Sequence, residues 1–260
     1  MTESGHRKPF ALANWKMAMT IEEGKKFVTD FLERVGNLTD RAEIVLCPPF
    51  TALHALSLAI GRNSLELGAQ NLWAGEGIAH TGEISSRLLI DAGCCWVILG
   101  HWEVRRRTGE TDVDVNRKMH SALQVGLRPI LMIGEETGQR GQAESVLAKR
   151  LPLFLAESDP EQLGRSVVVY EPEWTIGAPE PASPDYISSA CAFIREWIER
   201  EYGQEPAREV RIIYGGGVSP EFTKDLLASP DVDGLGAGRK GRDPDAFARM
   251  VKTLAYSKGV

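Results

Sequence analysis

At 260 residues, with 43% hydrophobic and 25% charged residues, the chain has the make-up of an ordinary globular protein and is long enough to bury a large core. Its net charge of −6 excludes a general basic surface for nucleic acid, and the cluster Arg105, Arg106, Arg107 is flanked by Glu103, Glu110 and Asp112, as on a solvated face or an interface. No run approaches the ~18 apolar residues of a membrane span, and the first residues lack the apolar segment of a signal peptide, so no membrane partner and a cytoplasmic setting are expected.

In chain order, the first apolar run is FALANW (10–15), with Asn14 at its end and Lys16 just beyond. Thr20 and Glu23 form a capping box for a helix that Gly36 ends. EIVLC (43–47) precedes a segment that Gly61 stops, and LELGAQ (65–70) ends on Gln70 and Asn71. CWVILG (95–100) leads into His101, RPILMIG (128–134) follows, and SVVVYE (166–171) ends on Glu171. Ser183 and Pro184 open a long helix as N-cap and first helical residue. VRIIYG (210–215) runs into Gly216 and Gly217, and the weakest run, VDGLGAG (232–238), ends on Gly238.

Most of these runs lack a polar/apolar alternation, the pattern of parallel strands buried on both faces. Eight strand-then-helix units, with no linker between them, predict a closed (β/α)8 barrel as one domain over 1–260; an open doubly wound sheet fits the same periodicity. The barrel adds a rule: functional residues belong where strands end, and the polar outliers Asn14, Lys16, Gln70, Asn71, His101 and Glu171 fall there. Cys47, Cys94, Cys95 and Cys191 form no C-x-x-C pair and read as buried free thiols. The histidines at 6, 54, 80, 101 and 120 have no metal-ligand spacing.

Taken as an ordered set, NWKM (14–17), GAQN (68–71), TGEIS (81–85), VILGHWE (97–103), IGE (133–135), YEPEWTIG (170–177) and YGGGV (214–218) resemble the triosephosphate isomerase family over essentially the whole chain. The resemblance implies an aldose–ketose isomerase that passes through an enediolate. Glu171 matches the family's base, and His101 the electrophile, whose neutral imidazole both donates and accepts. Lys16 matches the cation beside the developing oxyanion, with Asn14 as its neighbour and Glu103 holding the ammonium. The substrate phosphate would be held by backbone N–H groups near Gly177, Gly216, Gly217 and Gly238, under a lid at 172–182. The resemblance implies no metal or organic cofactor, a small phosphorylated sugar as substrate, and a homodimer through residues 72–85, whose Trp73 and Ile78 would be costly to expose.

Several positions depart from the family pattern. Trp102 stands for a serine that meets the base, and Val104 for an arginine that pairs with the acid matching Glu110. Gly217 stands for a serine in the phosphate turn, and Arg239 for a glycine, where it could supply a bidentate phosphate contact. The lid reads APEP at 178–181, and Glu173 adds a carboxylate beside the base. Trp102 is expected to reshape the pocket floor, and the clustering of these changes on the substrate envelope and the interface makes a four-carbon ketose phosphate of the erythrulose-phosphate type a rival substrate. A non-catalytic barrel homologue is a third reading, and retention of Glu171, His101 and Lys16 weighs against it.

Overall fold

The computed structural model of the chain describes residues 7–75 and 77–258; the first residues, including His6, and Glu76 within the 72–85 segment lie outside these. Eight parallel strands close into a barrel in sequence order. They are β1 (Phe10–Asn14), β2 (Glu43–Cys47), β3 (Leu65–Ala69), β4 (Trp96–Leu99), β5 (Arg128–Ile133), β6 (Val167–Tyr170), β7 (Arg211–Gly215) and β8 (Gly234–Ala237). Closure is direct: β1 pairs with β8 from Phe10↔Gly234 to Ala13↔Ala237. This rules out the open sheet.

The absence of alternation has the expected cause. Phe10, Leu12, Val45, Ile98 and Val169 pack in one cluster, which fills the barrel. Their neighbours Ala11, Ala13, Ile44, Leu99 and Val168 belong to a second, larger cluster between strands and helices. Both faces of each strand are therefore buried, and a period of two has no polar side to display. Strand β2 matches its apolar run and β7 reaches the end of its own, while the other six end one residue short. At β6 the reason is Pro172, which turns the chain although the Glu171 N–H still donates to the Ile133 carbonyl at 2.8 Å.

The outer shell begins with α1 (Ile21–Val35), α2 (Leu53–Ile60), α3 (Ser86–Asp91), α4 (Trp102–Thr108), α5 (Asp112–Gln124) and α6 (Ala143–Phe154). It continues with α7 (Pro160–Gly164), α8 (Pro184–Tyr202), α9 (Gln204–Glu209), α10 (Thr223–Leu226) and α11 (Pro244–Lys258). The sequence signals act as expected. Thr20 and Glu23 make a reciprocal capping box for α1, and Gly36 ends it. Ser183 accepts the Tyr186 N–H at the start of α8, with Pro184 in the first turn, and Gly61 ends α2. Phe27 and Phe31 of α1 stack, Phe27 meets Trp15 edge-on at 4.9 Å, and Phe31 stacks on Phe247 of α11 at 5.2 Å, joining the first helix to the last.

One expectation fails. Cys47, Cys94 and Cys191 are buried free thiols, but Cys95 is exposed. It lies just before β4, on the rim where strands begin, near the charges of Glu66 and Arg128. No helix of the described residues is long and apolar enough to cross a membrane.

Closure leaves no space at Gly234, where a Cβ would sit 1.9 Å from the Phe10 carbonyl oxygen. A backbone atom cannot rotate away as a side chain can. Gly234→Ala is expected to push β8 off β1 at a cost of about 1–3 kcal/mol or more, seen as a fall in Tm of several degrees. A variant that melts with the wild type would show that the seam is looser than this.

Candidate active site

At the C-terminal end of β1 the chain enters a constrained turn. Lys16 has φ +54°, a left-handed conformation that costs free energy for a residue with a side chain. Neighbours fix it there: the Asn14 side-chain oxygen accepts the Lys16 N–H at 3.0 Å. Gln70, from the end of β3, donates to the carbonyls of Lys16 at 2.8 Å and Cys47 at 2.9 Å. The Lys16 ammonium reaches Glu103 at 2.6 Å. Partial burial of Glu103 works against its ionisation, but the hydrogen bond and charge of Lys16, with His101 and Arg106, outweigh that and hold its carboxyl below the usual range.

His101 is the N-cap of α4 and is 4% exposed. Its Nδ1 accepts the Glu103 N–H at 3.1 Å, so that nitrogen carries a lone pair and Nε2 carries the proton. Nε2 faces the Glu171 carboxylate, 3.6 Å from Oε2, which is beyond hydrogen-bond length. Glu171 is 9% exposed, and Oε2 is buried with no hydrogen-bond partner among the described residues. A buried carboxylate oxygen that no donor satisfies is costly, and such oxygens concentrate where chemistry is done.

Glu171, His101, Lys16 and Asn14 line one cavity of about 230 Å³, together with Gly177, Gly216, Gly217, Gly238 and Arg239. Glu103 does not line it but is held against Lys16 and His101, and Gln70 and Asn71 also lie outside its lining. The volume is below the ~300–1,000 Å³ of sites for drug-sized ligands and suits a small metabolite. Glycines of several turns make up much of the rest of its lining, with Arg239, Lys240 and Arg242. The last two went unmarked in the sequence because a charge after a weak strand carries no distinguishing pattern.

The 172–182 segment, expected to act as a lid, is tied down at both ends. Glu135, fully buried, accepts hydrogen bonds from Tyr170 at 2.9 Å, Trp174 at 2.8 Å and Tyr186 at 2.8 Å. Burial and the Glu135 charge push the Tyr170 hydroxyl far above the usual tyrosine range, so it stays a donor. Glu173 bonds Arg106 at 2.6 Å and accepts the Thr137 N–H at 2.7 Å, which locates the extra carboxylate of the sequence in the hinge. At the far end the Ala182 N–H donates to the Tyr214 hydroxyl at 3.0 Å. The motifs containing Glu135 and Tyr214 were visible in the sequence, but their polar tips act across 39 and 32 residues, which local pattern does not register.

Two departures resolve differently from expectation. Trp102 does not line the cavity: its indole N–H turns back to the Glu171 carbonyl at 3.0 Å, behind the base, so it does not reshape the pocket floor. Position 104 is valine, and the buried Glu110 carboxylate pairs with Lys118 instead, which also donates to Asn71 at 2.9 Å.

Gly217 and the lid fit as a pair. Gly217 has φ +61°, and a Cβ there would lie 2.5 Å from the Glu180 carbonyl oxygen in the lid. Gly217→Ser is therefore expected to displace the lid backbone and break the Ala182–Tyr214 latch. Hydrogen exchange at the Ala182 amide should quicken in the variant; unchanged protection would mean that the lid accommodates the side chain.

Comparison with known proteins gives a consistent result. The family model described as triosephosphate isomerase matches residues 9–254. A triosephosphate isomerase of Chloroflexus aurantiacus is 42% identical over 247 residues, covering 94% of this chain and 98% of its own. One of Symbiobacterium thermophilum is 42% identical over 254 residues, 97% of this chain and 99% of its own. One of Rhodopirellula baltica is 39% identical over 248 residues, 95% of this chain and 97% of its own. With a closed eightfold barrel and a carboxylate, an imidazole and an ammonium at one rim, the chain belongs to the triosephosphate isomerase family.

Proposed function

We propose that this chain is a single-domain triosephosphate isomerase, interconverting D-glyceraldehyde 3-phosphate and dihydroxyacetone phosphate. The observation that carries the reading is the unpartnered Glu171 carboxylate facing the protonated Nε2 of His101 across a small cavity lined by glycine turns. Glu171 removes a proton from the carbon beside the carbonyl. His101 donates from Nε2 to the carbonyl oxygen as charge builds there, then relays a proton between the two oxygens of the enediolate. Lys16 adds positive charge beside that oxygen, and Asn14 and Glu103 hold the lysine. Glu171 returns its proton to the neighbouring carbon, so the reaction balances without a cofactor. The N–H groups around Gly177, Gly216, Gly217 and Gly238 suit a phosphate, and Arg239, exposed at the cavity edge with no ion pair among the described residues, adds charge there. The closed lid keeps water from the enediolate.

The four-carbon reading rested on changes around the substrate envelope, with Trp102 near Glu171 and Gly217 and Arg239 at the phosphate end. With Trp102 outside the cavity lining, no observation favours that substrate. A coupled assay of the purified chain on glyceraldehyde 3-phosphate, run beside erythrulose 4-phosphate, tests the choice. Turnover confined to the four-carbon substrate would overturn the proposal.

A homodimer is part of the same reading. Met17, directly after Lys16, and Ile78, in the 72–85 loop, are both fully exposed. The base of the loop is ordered by the Trp73 N–H bond to Ile84 at 2.9 Å. Two fully exposed apolar side chains are better covered by a second copy than by water. The free thiols suit a reducing cytoplasm.

Glu171→Asp retracts the carboxylate by one methylene and is expected to lower kcat by about 10²-fold, with a smaller change in KM. Unchanged kcat would remove Glu171 from the proton transfer. Light scattering at micromolar concentration is expected to give twice the 28.6 kDa chain mass, and Ile78→Asp to shift it towards the monomer. A wild type that stays at the monomer mass would end the dimer proposal.

A further inference from the structure

Trp102 follows His101 at the start of α4, is 7% exposed, and plays no part in lining the substrate cavity. Its indole N–H donates to the main-chain carbonyl of Glu171 at 3.0 Å, in a fully buried bond across 69 residues of sequence. The same carbonyl oxygen would lie only 2.3 Å from a Cβ at Gly134, so the end of β5 closes on it from another side. The Glu171 N–H is also taken, by the Ile133 carbonyl at 2.8 Å. Both main-chain polar groups of the base are thus held, while its carboxylate Oε2 has no hydrogen bond among the described residues.

The tryptophan is itself held. The guanidinium carbons of Arg150 and Arg105 lie 4.9 Å and 5.8 Å from its ring, within cation–π range. Asp112 receives both guanidiniums at 2.8 Å; the Arg150 contact is hydrogen-bonded, whereas the Arg105 contact is close but poorly aligned. Arg105 also donates to the Gly100 carbonyl at 2.8 Å, beside His101, and Arg150 donates to the Gly134 carbonyl. One cluster therefore connects the strand end that carries the electrophile, the end of β5 and the main chain of the base.

We propose that Trp102 is a positioning residue for the isomerisation: its indole N–H fixes the main chain of Glu171 and thereby the reach of a carboxylate that no side chain holds. The proposal rests on the isomerase reading. A carboxylate located only by its own backbone and rotamer transmits any backbone shift to the reacting carbon, and misplacement of that order is felt in the transition state more than in substrate binding.

Trp102→Phe keeps an aromatic ring between the two arginines and deletes the N–H. Exchange of the indole at Trp102 for benzothiophene keeps the shape as well, and gives the same reading should the phenylalanine variant fold poorly. Each is expected to lower kcat by about tenfold, within the reach of a small misplacement, and to leave KM within about twofold. Affinity for 2-phosphoglycolate, whose carboxylate copies the planar, charged enediolate, should fall with kcat rather than follow KM. A folded variant with wild-type kcat, or one in which KM rises while kcat and 2-phosphoglycolate binding hold, overturns the proposal. A wild type with no isomerase activity overturns the functional reading instead, and the two failures are told apart by that control.

Discussion

Because β8 hydrogen-bonds to β1, from Phe10↔Gly234 to Ala13↔Ala237, the ring has no free edge and all eight strands finish on one rim. Every site residue inherits its place from that closure. Asn14 and Lys16 leave the end of β1, His101 the end of β4, and Glu171 the end of β6. None is near the others in sequence, and loop packing alone would not bring them to one cavity of about 230 Å³. The opposite rim is used differently. There Arg128 stacks 4.0 Å from the Trp96 ring and pairs with Glu43 at 2.7 Å, and Arg211 shares the same glutamate. Charges at the strand beginnings bind the strands to one another, whereas at the strand ends the Glu171 carboxylate and the exposed Arg239 face the cavity.

The strands were legible because burial on both faces leaves uninterrupted apolar runs, and the helices because Thr20, Gly36, Ser183 and Pro184 have specific work at helix ends. The closure was not legible in the same way. Nothing local in VDGLGAG marks Gly234 as the residue that must lie against the Phe10 carbonyl; the demand for a glycine comes from a strand more than two hundred positions away. The exposure of Cys95 and the direction of Trp102 escaped for a related reason. A residue at or just before the first position of a strand or helix has neighbours set by the rim rather than by its own run, so periodicity says nothing of its side chain.

The departures from the family pattern are connected to one another. Gly217 makes room for the main-chain carbonyl of Glu180 in the 172–182 segment, so a side chain at 217 would have to displace that segment. Glu173, two residues after Glu171, is paired with Arg106 of α4 and accepts the Thr137 amide, so its carboxylate stays outside the cavity that Glu171 lines. Lys118 supplies the cation for Glu110 from α5 where position 104 has none. Gly217 and Glu173 thus meet partners on different βα units, which a barrel permits because neighbouring loops share the rim, whereas Glu110 finds its cation within its own unit.

The electrostatics of the rim follow from the same economy. Lys16 carries a strained backbone and an ammonium paired with Glu103, a surface that is half open to solvent. Such a pair is worth little as a stabilising contact. Its value is positional, since the ammonium stays at the cavity edge when no substrate is bound. Glu103 has a lowered carboxyl pKa in the folded chain, so its contribution is present above the ordinary glutamate value of about 4.3 and is lost as pH falls through the lower, folded value. At neutral pH the carboxylate is charged and Lys16 is held. The His101 ring is oriented from the same residue, whose N–H donates to Nδ1. Glu103 thus sets the cation through its side chain and the imidazole tautomer through its backbone, while the base, whose carboxylate has no such partner, depends on what holds its main chain.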